Sequence, residues 1–326
     1  MSPPRTRHVV SFVGFWRGFD PHQSHFAKVL PLIPDARIAP LCAETTAVVF
    51  SDFGAPPSGF SGPIIYYSGE NVVPDLGSCH FAITSSLLQH ERHHHLPYWA
   101  FSCTDPSRLL TEARRAARAA APAPAGFCSF VASNARAPER NRFLRILHRL
   151  RPVSSGGRAF NTTGTPVADK GAFLRSHRFN ICFENTSSPG YTTEKLIDAL
   201  DAGAIPIYWG NSSLDQHFNT ACMLRAEAFP GLDALAQRVI ELDDRPEERA
   251  RMLALPCFRD DRVPEVASPA WLAATLERWL RRPLPARQPR MRPARLRAHC
   301  YRSPLHQSAV SLACRVDALL WRMGIR

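Results

Sequence analysis

No stretch of the 326-residue chain reaches eighteen consecutive apolar residues, so no membrane-spanning helix is expected. The apolar run near the N-terminus, in MSPPRTRHVVSFVGFW, is short and lacks a small-residue cleavage site, which argues against a secretory signal. CxxC pairs are missing as well. The nine cysteines stand singly, their count is odd, and most fall in apolar runs, so buried reduced thiols and a cytoplasmic setting are expected. Sequons at Asn161, Asn185 and Asn211 then carry no weight. Neither GxGxxG nor GxxxxGK[ST] occurs, which excludes a standard dinucleotide or P-loop site. There is no Asp-x-Asp, and the pairs Asp243-Asp244 and Asp260-Asp261 read as loop or capping acids, so no metal ligands are assigned.

Acidic residues are scarce at one end only. From Glu277 to Arg326 twelve arginines face two acids, which accounts for most of the net charge of +12. The body is nearly neutral, and hydrophobic residues at 45% suffice for real cores.

What is there is alternation. Apolar runs at 8–15, 46–50, 63–67 and 80–84 read as buried strands, with a short helix expected within 19–30. An Ala/Arg helix at 107–120 runs into a Pro/Ala/Gly linker at 121–126, where a domain boundary is expected. The pattern restarts with a strand at 127–134, a helix at 138–150 and a strand at 178–183. A helix at 193–202 stopped by Gly203, a strand at 204–209 and a helix at 269–280 follow. Strands alternating with helices imply mainly parallel sheets. The expected architecture is α/β, with domains at 1–122 and 123–282 and a basic tail at 283–326.

The stretch 180–210, NICFENTSSPGYTTEKLIDALDAGAIPIYWG, sets polar groups between two apolar runs. In open α/β sheets such strand-to-helix loops bind ligands. Thr192 or Thr193 can cap the helix. Lys195 falls in its first turn, where the helix dipole disfavours a cation unless an anion binds there. Arg140 repeats the arrangement behind Pro138. Two helix N-termini, each with a cation, suit a diphosphate. The plainer reading pairs Lys195 with Asp198 or Glu194, and Arg140 with Glu139 or solvent.

The same stretch resembles the signature of the α-1,3/4-fucosyltransferases, glycosyltransferase family 10, and its bacterial members above all. FCSFVASNARAPERNRF at 127–143, YYSGENVVPDL at 66–76 and FWRGFDP at 15–21 resemble three further family blocks in the same order. The resemblance implies a GT-B fold, two Rossmann-like doubly wound domains facing across a cleft. It implies inverting transfer of L-fucose from GDP-fucose to O3 of GlcNAc in an N-acetyllactosamine-type acceptor, giving a Lewis-type product on a lipopolysaccharide. O4 of GlcNAc and a glucose acceptor stay open beside it, and another acceptor or nucleotide sugar is the alternative. By the same resemblance Arg140 and Lys195 neutralise the pyrophosphate, while Asn185, Tyr191 and Glu194 contact nucleotide and fucose. Lys170, in VADK at 167–170, lines the nucleotide site. Glu70 matches the general base, and Glu194 joins it as a catalytic candidate. Glu184 is read as orienting the loop, with acid or base chemistry as the alternative. No tightly bound cofactor is implied, and a divalent cation is at most a stimulant.

Two motifs pull elsewhere. His90-Glu91-Arg92-His93-His94 satisfies HExxH, the zinc-protease pattern, but Leu96-Pro97 follows at once and the resemblance implies an ordinary variable helix there. The basic tail has too few aromatics and too many prolines for nucleic acid. Its polybasic stretch precedes an amphipathic pattern at 305–323. That combination suits the anionic inner face of a membrane, or a terminal helix packed on the body.

Overall fold

The computed structural model describes residues 8–284. The basic tail and the pattern at 305–323 lie outside the described residues. The chain divides into two compact units: the first runs to Thr104 and resumes at Pro264, and the second spans Asp105–Val263.

The first unit is built on β1 (His8–Val13), β2 (Ala36–Ile38), β3 (Ala47–Phe50), β4 (Ile64–Tyr67), β5 (Phe81–Thr84) and β6 (His93–His95). All pair in parallel, in the order β2-β1-β3-β4-β5-β6. β3, β4 and β5 are buried at every position, which is why they read as unbroken apolar runs. Helices α1 (Phe26–Val29) and α2 (Tyr98–Ser102) belong to this unit.

The second unit holds β7 (Gly126–Phe130), β8 (Val153–Ser155), β9 (His177–Phe183), β10 (Ile205–Trp209) and β11 (Leu224–Arg225). These too are all parallel, in the order β11-β10-β9-β7-β8. Its helices are α3 (Glu112–Ala120), α4 (Pro138–Leu150), α5 (Lys170–Arg175), α6 (Glu194–Ala202), α7 (Leu232–Asp243) and α8 (Pro246–Ala254). Numbered within its own unit, each sheet begins 2-1-3-4-5. The strand order therefore reverses between β1 and β3 in one unit and between β7 and β9 in the other.

The expected boundary at 121–126 falls instead at Thr104/Asp105. The arginines of α3 find their carboxylates in the second unit: Arg115 donates to both oxygens of Asp261 at 2.8 and 2.9 Å, and Arg114 to Asp201 at 2.6 Å. Conversely, α9 (Pro269–Arg281), expected to end the second domain, closes the first unit. Its Trp279 stacks on Phe81 at 4.7 Å and donates its indole N–H to the Glu91 carbonyl at 3.2 Å.

The HExxH segment is a turn leading into β6, not a helix, so its histidines do not share a helix face. His94 is buried against Trp271 and reaches Thr275 at 3.1 Å, His93 reaches Thr84 at 2.9 Å, and Glu91 pairs with Arg282 at 2.7 Å. Each is spent on packing within the first unit. The seven described cysteines are free thiols, and all but Cys42 are buried.

Candidate active site

Ligands of open α/β sheets bind beyond the strand C-termini where the strand order reverses. In the second unit that point lies between β7 and β9, and the loops leaving them carry the expected cations. Arg140 sits on the buried stripe of α4 with Phe143, Leu144 and Leu147, at core-facing helical spacing, and is only 2% exposed. Its guanidinium donates to Asn185 Oδ1 at 2.6 Å and to the Asn134 carbonyl, and lies over the Phe130 ring at 5.8 Å. Neither Glu139 nor bulk solvent is its principal partner.

Glu184, the first residue beyond β9, is wholly buried. Its carboxylate accepts from the Thr193 N–H at 2.7 Å, the Thr193 hydroxyl at 2.8 and 3.0 Å, and Lys195 Nζ at 2.9 Å. Lys195 Nζ also donates to Thr193 Oγ1 at 2.8 Å. Lys195 therefore pairs with Glu184, not with Asp198 or Glu194. Burial works most strongly against its charge, but the Glu184 and Glu194 carboxylates together hold the ammonium above its usual range. Arg140 is close enough to oppose it. Arg140 and Lys195 thus bring two cations to the start of a helix whose dipole has the same sign, against the Glu184 and Glu194 carboxylates.

Thr193 occupies the N-cap position of α6 without capping it, because its hydroxyl is committed to Glu184. Among the described residues no side chain caps the first-turn N–H groups of α6, which suits an anion.

The loop is held from behind. Asn211 Oδ1 accepts from the N–H groups of Gly190 and Ser213 at 2.8 and 2.9 Å, and its amide donates to Thr192 Oγ1 at 3.0 Å. Ser187 donates to the Gly210 carbonyl at 2.5 Å. A Cβ on Gly210 would stand 2.6 Å from Glu184 Cγ, so only glycine lets the strand end lie against the carboxylate. Asn211 and Gly210 were missed as site residues. The signal was an Asn two residues before a Ser just past a strand, the mark of an Asx turn.

The structure thus brings together Arg140, Asn185, Lys195 and Glu194. Tyr191 lies in the same loop and is buried. Lys170 stands at the start of α5 and pairs with Asp198, one turn along α6, at 2.6 Å. Glu70 is not among them; it belongs to the first unit, exposed, beyond β4. Its N–H donates to Ser68 Oγ at 3.1 Å, and its carbonyl accepts from Ser85 at 3.3 Å. Ser68 in turn donates to Asp52 at 2.7 Å, and Asp52 also accepts from the Tyr66 hydroxyl. Burial, then the Asp52 charge, pushes the Tyr66 phenol up, so it stays a donor. The Glu70 backbone is fixed while its side chain remains accessible.

An open parallel Rossmann-like sheet in each unit, with a cation pair at the order reversal of the second, defines the class: an α/β protein of the GT-B type. An α1,3-fucosyltransferase crystal structure with GDP-fucose matches at a TM-score of 0.70 and 24% identity, covering 85% of this chain and 91% of that one, and so shares the fold. The family model described as glycosyltransferase family 10 (fucosyltransferase) C-term matches residues 124–253. That of the alpha-(1,3)-fucosyltransferase FucT N-terminal domain matches residues 10–102. The chain carries both in order and belongs to glycosyltransferase family 10.

Among curated relatives, the alpha-(1,3)-fucosyltransferase FucT of Helicobacter pylori is 34% identical over 199 residues, 52% of this chain and 42% of the relative. An alpha-(1,4)-fucosyltransferase of Arabidopsis thaliana is 30% identical over 129 residues, 33% of this chain and 32% of the relative. The chain spans less than half the length of these relatives.

Proposed function

We propose that the chain is an inverting fucosyltransferase that moves L-fucose from GDP-fucose to a glycan hydroxyl. The observation that carries this reading is the Lys195–Glu184–Thr193 cluster with Arg140, aimed at the uncapped start of α6 at the order reversal of the second sheet. A diphosphate there would meet two cations and free N–H groups. Family membership supports fucose as the sugar and GDP as the leaving group. Asn185, Tyr191, Glu194 and Lys170 surround the nucleotide and fucose in this proposal.

Glu70 is proposed as the general base. It takes the acceptor hydroxyl proton as that oxygen attacks C1 of fucose on the face opposite GDP. The bond from C1 to the phosphate oxygen breaks, and Arg140 and Lys195 stabilise the negative charge left on GDP. The acceptor proposed is an N-acetyllactosamine-type glycan, modified at O3 of GlcNAc. By its sequence, the basic segment 278–302 is proposed to hold the enzyme on an anionic membrane face. Sedimentation with anionic vesicles that weakens as salt rises is the expected outcome.

The test is incubation with GDP-fucose, with and without N-acetyllactosamine, following GDP release, product mass and the anomeric signal. One added deoxyhexose in α linkage is expected. A folded sample that neither binds GDP-fucose nor transfers from it would refute the reading.

A further inference from the structure

The first sheet has its own order reversal, between β1 and β3, and the loops beyond its strand ends carry exposed apolar side chains. Phe53, just past β3, is 65% exposed, the most exposed large hydrophobic among the described residues. Val73, three residues beyond Glu70, is 50% exposed. Trp16 is half-buried in the loop leaving β1.

These side chains stand on a rigid base. Gly14, at φ 64°, lies so close to Gly54 that a Cβ would come within 2.7 Å of Gly54 Cα, and the Phe53 N–H donates to the Gly14 carbonyl at 2.9 Å. The loops after β1 and β3 are thereby zipped together. Beneath them Phe15 stacks on Phe19 at 4.0 Å and on Tyr67 at 5.8 Å with only 9° between planes. Trp16 meets Phe19 edge-on at 4.9 Å and Phe15 at 5.7 Å. Tyr67 ends β4 and leads directly into Ser68-Gly69-Glu70. One aromatic stack therefore ties the Trp16 loop to the Glu70 loop.

Neighbouring strands stand about 4.8 Å apart, so the ends of β1, β3 and β4 span roughly 10 Å. That is the length scale of a disaccharide. A pyranose has an apolar C–H face and a rim of hydroxyls; exposed aromatic rings suit the face, and carboxylates suit the rim. Here Phe53 and Trp16 supply rings, and Glu70, with Asp52 behind it, supplies carboxylates.

We propose that Phe53 and Trp16 form a carbohydrate-stacking platform that holds one pyranose ring of the acceptor beside Glu70. The proposal deepens the fucosyltransferase reading and rests on it for the identity of the acceptor. Phe53 is a specificity residue in this arrangement, and the fold does not depend on its ring.

The test is saturation-transfer NMR of the GDP-saturated protein with N-acetyllactosamine, lactose and chitobiose. Saturation concentrated on one pyranose face is expected. Phe53→Ala and Trp16→Ala should each raise the sugar Kd about tenfold, and Phe53→Tyr should restore it. The GDP Kd should stay unchanged in Phe53→Ala. Three outcomes would overturn the platform: no binding of any of the sugars to the wild type, unchanged sugar binding in Phe53→Ala, or weakened GDP binding in that variant. The last would assign the ring to the nucleotide base. Sugar binding that depends on Phe53 without fucose transfer would uphold the platform and refute the transferase reading alone.

Discussion

Lys195 and Glu184 look like one unit, yet their removal should be felt differently. Lys195→Ala deletes a charged donor to the proposed diphosphate, worth about 1.5–3 kcal/mol, so GDP affinity should fall roughly ten- to hundredfold by calorimetry. Because it also leaves the buried Glu184 carboxylate unpaired, its Tm should fall as well. Glu184→Gln keeps an acceptor for the Thr193 N–H but leaves the Lys195 ammonium without its carboxylate. Breaking a buried pair costs about 3–5 kcal/mol, so its first effect should be a lowered Tm of the free protein. A Tm unchanged in Glu184→Gln would contradict the buried pairing. Sequence placed both residues in the motif; it did not show that Thr193 serves Glu184 rather than the helix end. The loop between β9 and α6, held from behind by Asn211 and Gly210, decides that, because it brings the start of α6 against the end of β9.

Elements show the same division between pattern and partner. β3, β4, β5 and β10 were legible because strands buried on both faces are mainly apolar, and β9 because its last three residues, Ile181 to Phe183, are. β2, β6, β8 and β11 have two or three residues each, too short for any periodicity to register. The adjacent acids Asp243 and Asp244 at the end of α7 were read as loop or capping residues. Asp243 is instead a buried hub, its side chain 2% exposed, accepting from Arg178 at 2.5 and 3.0 Å and from Arg151. Burial alone would raise its carboxyl, but Arg178 and Arg151 hold it below its usual range. It tethers α7 to the start of β9 and the end of α4. Asp243→Asn should lower stability by about 3–5 kcal/mol. The candidate site lies at the other end of β9, about 20 Å away by strand rise, so the GDP Kd of the folded variant should not change. Denaturant unfolding and calorimetry read the two effects separately.

At the scale of the whole molecule, the buried histidines are unevenly shared. Burial lowers His25 to about 4, His93 to about 4 and His94 to about 3, and also lowers His8 and His95, all in the first unit. In the second, His148 and His177 are lowered by burial. A histidine neutral when folded binds its proton near pH 6.5 when unfolded, so acid favours the unfolded chain. Stability of the first unit should therefore be full above about pH 6.5 and fall steadily toward pH 4. Tryptophan fluorescence reads this unit, since Trp16, Trp99, Trp271 and Trp279 lie in it and Trp209 in the other. The urea midpoint by fluorescence should be lower at pH 5 than at pH 7.5; an unchanged midpoint would rule out the buried neutral histidines.

By itself the sequence determined the α/β class, the main strands, the placing of Arg140 and Lys195 at helix starts, and the family blocks. These are local properties, set by backbone periodicity, proline at N1 and contiguous motifs. It did not determine where the units divide, what Glu184, Asn211 and Asp243 hold, or that HExxH is a turn leading into a strand. Those depend on which side chains meet across long chain separations. The α3 arginines side with the second unit because Asp201 and Asp261 are there, and α9 returns to the first because Phe81 offers Trp279 a face. Tertiary structure decides such pairings because a buried charge or ring is stable only beside its partner, and no local pattern names that partner.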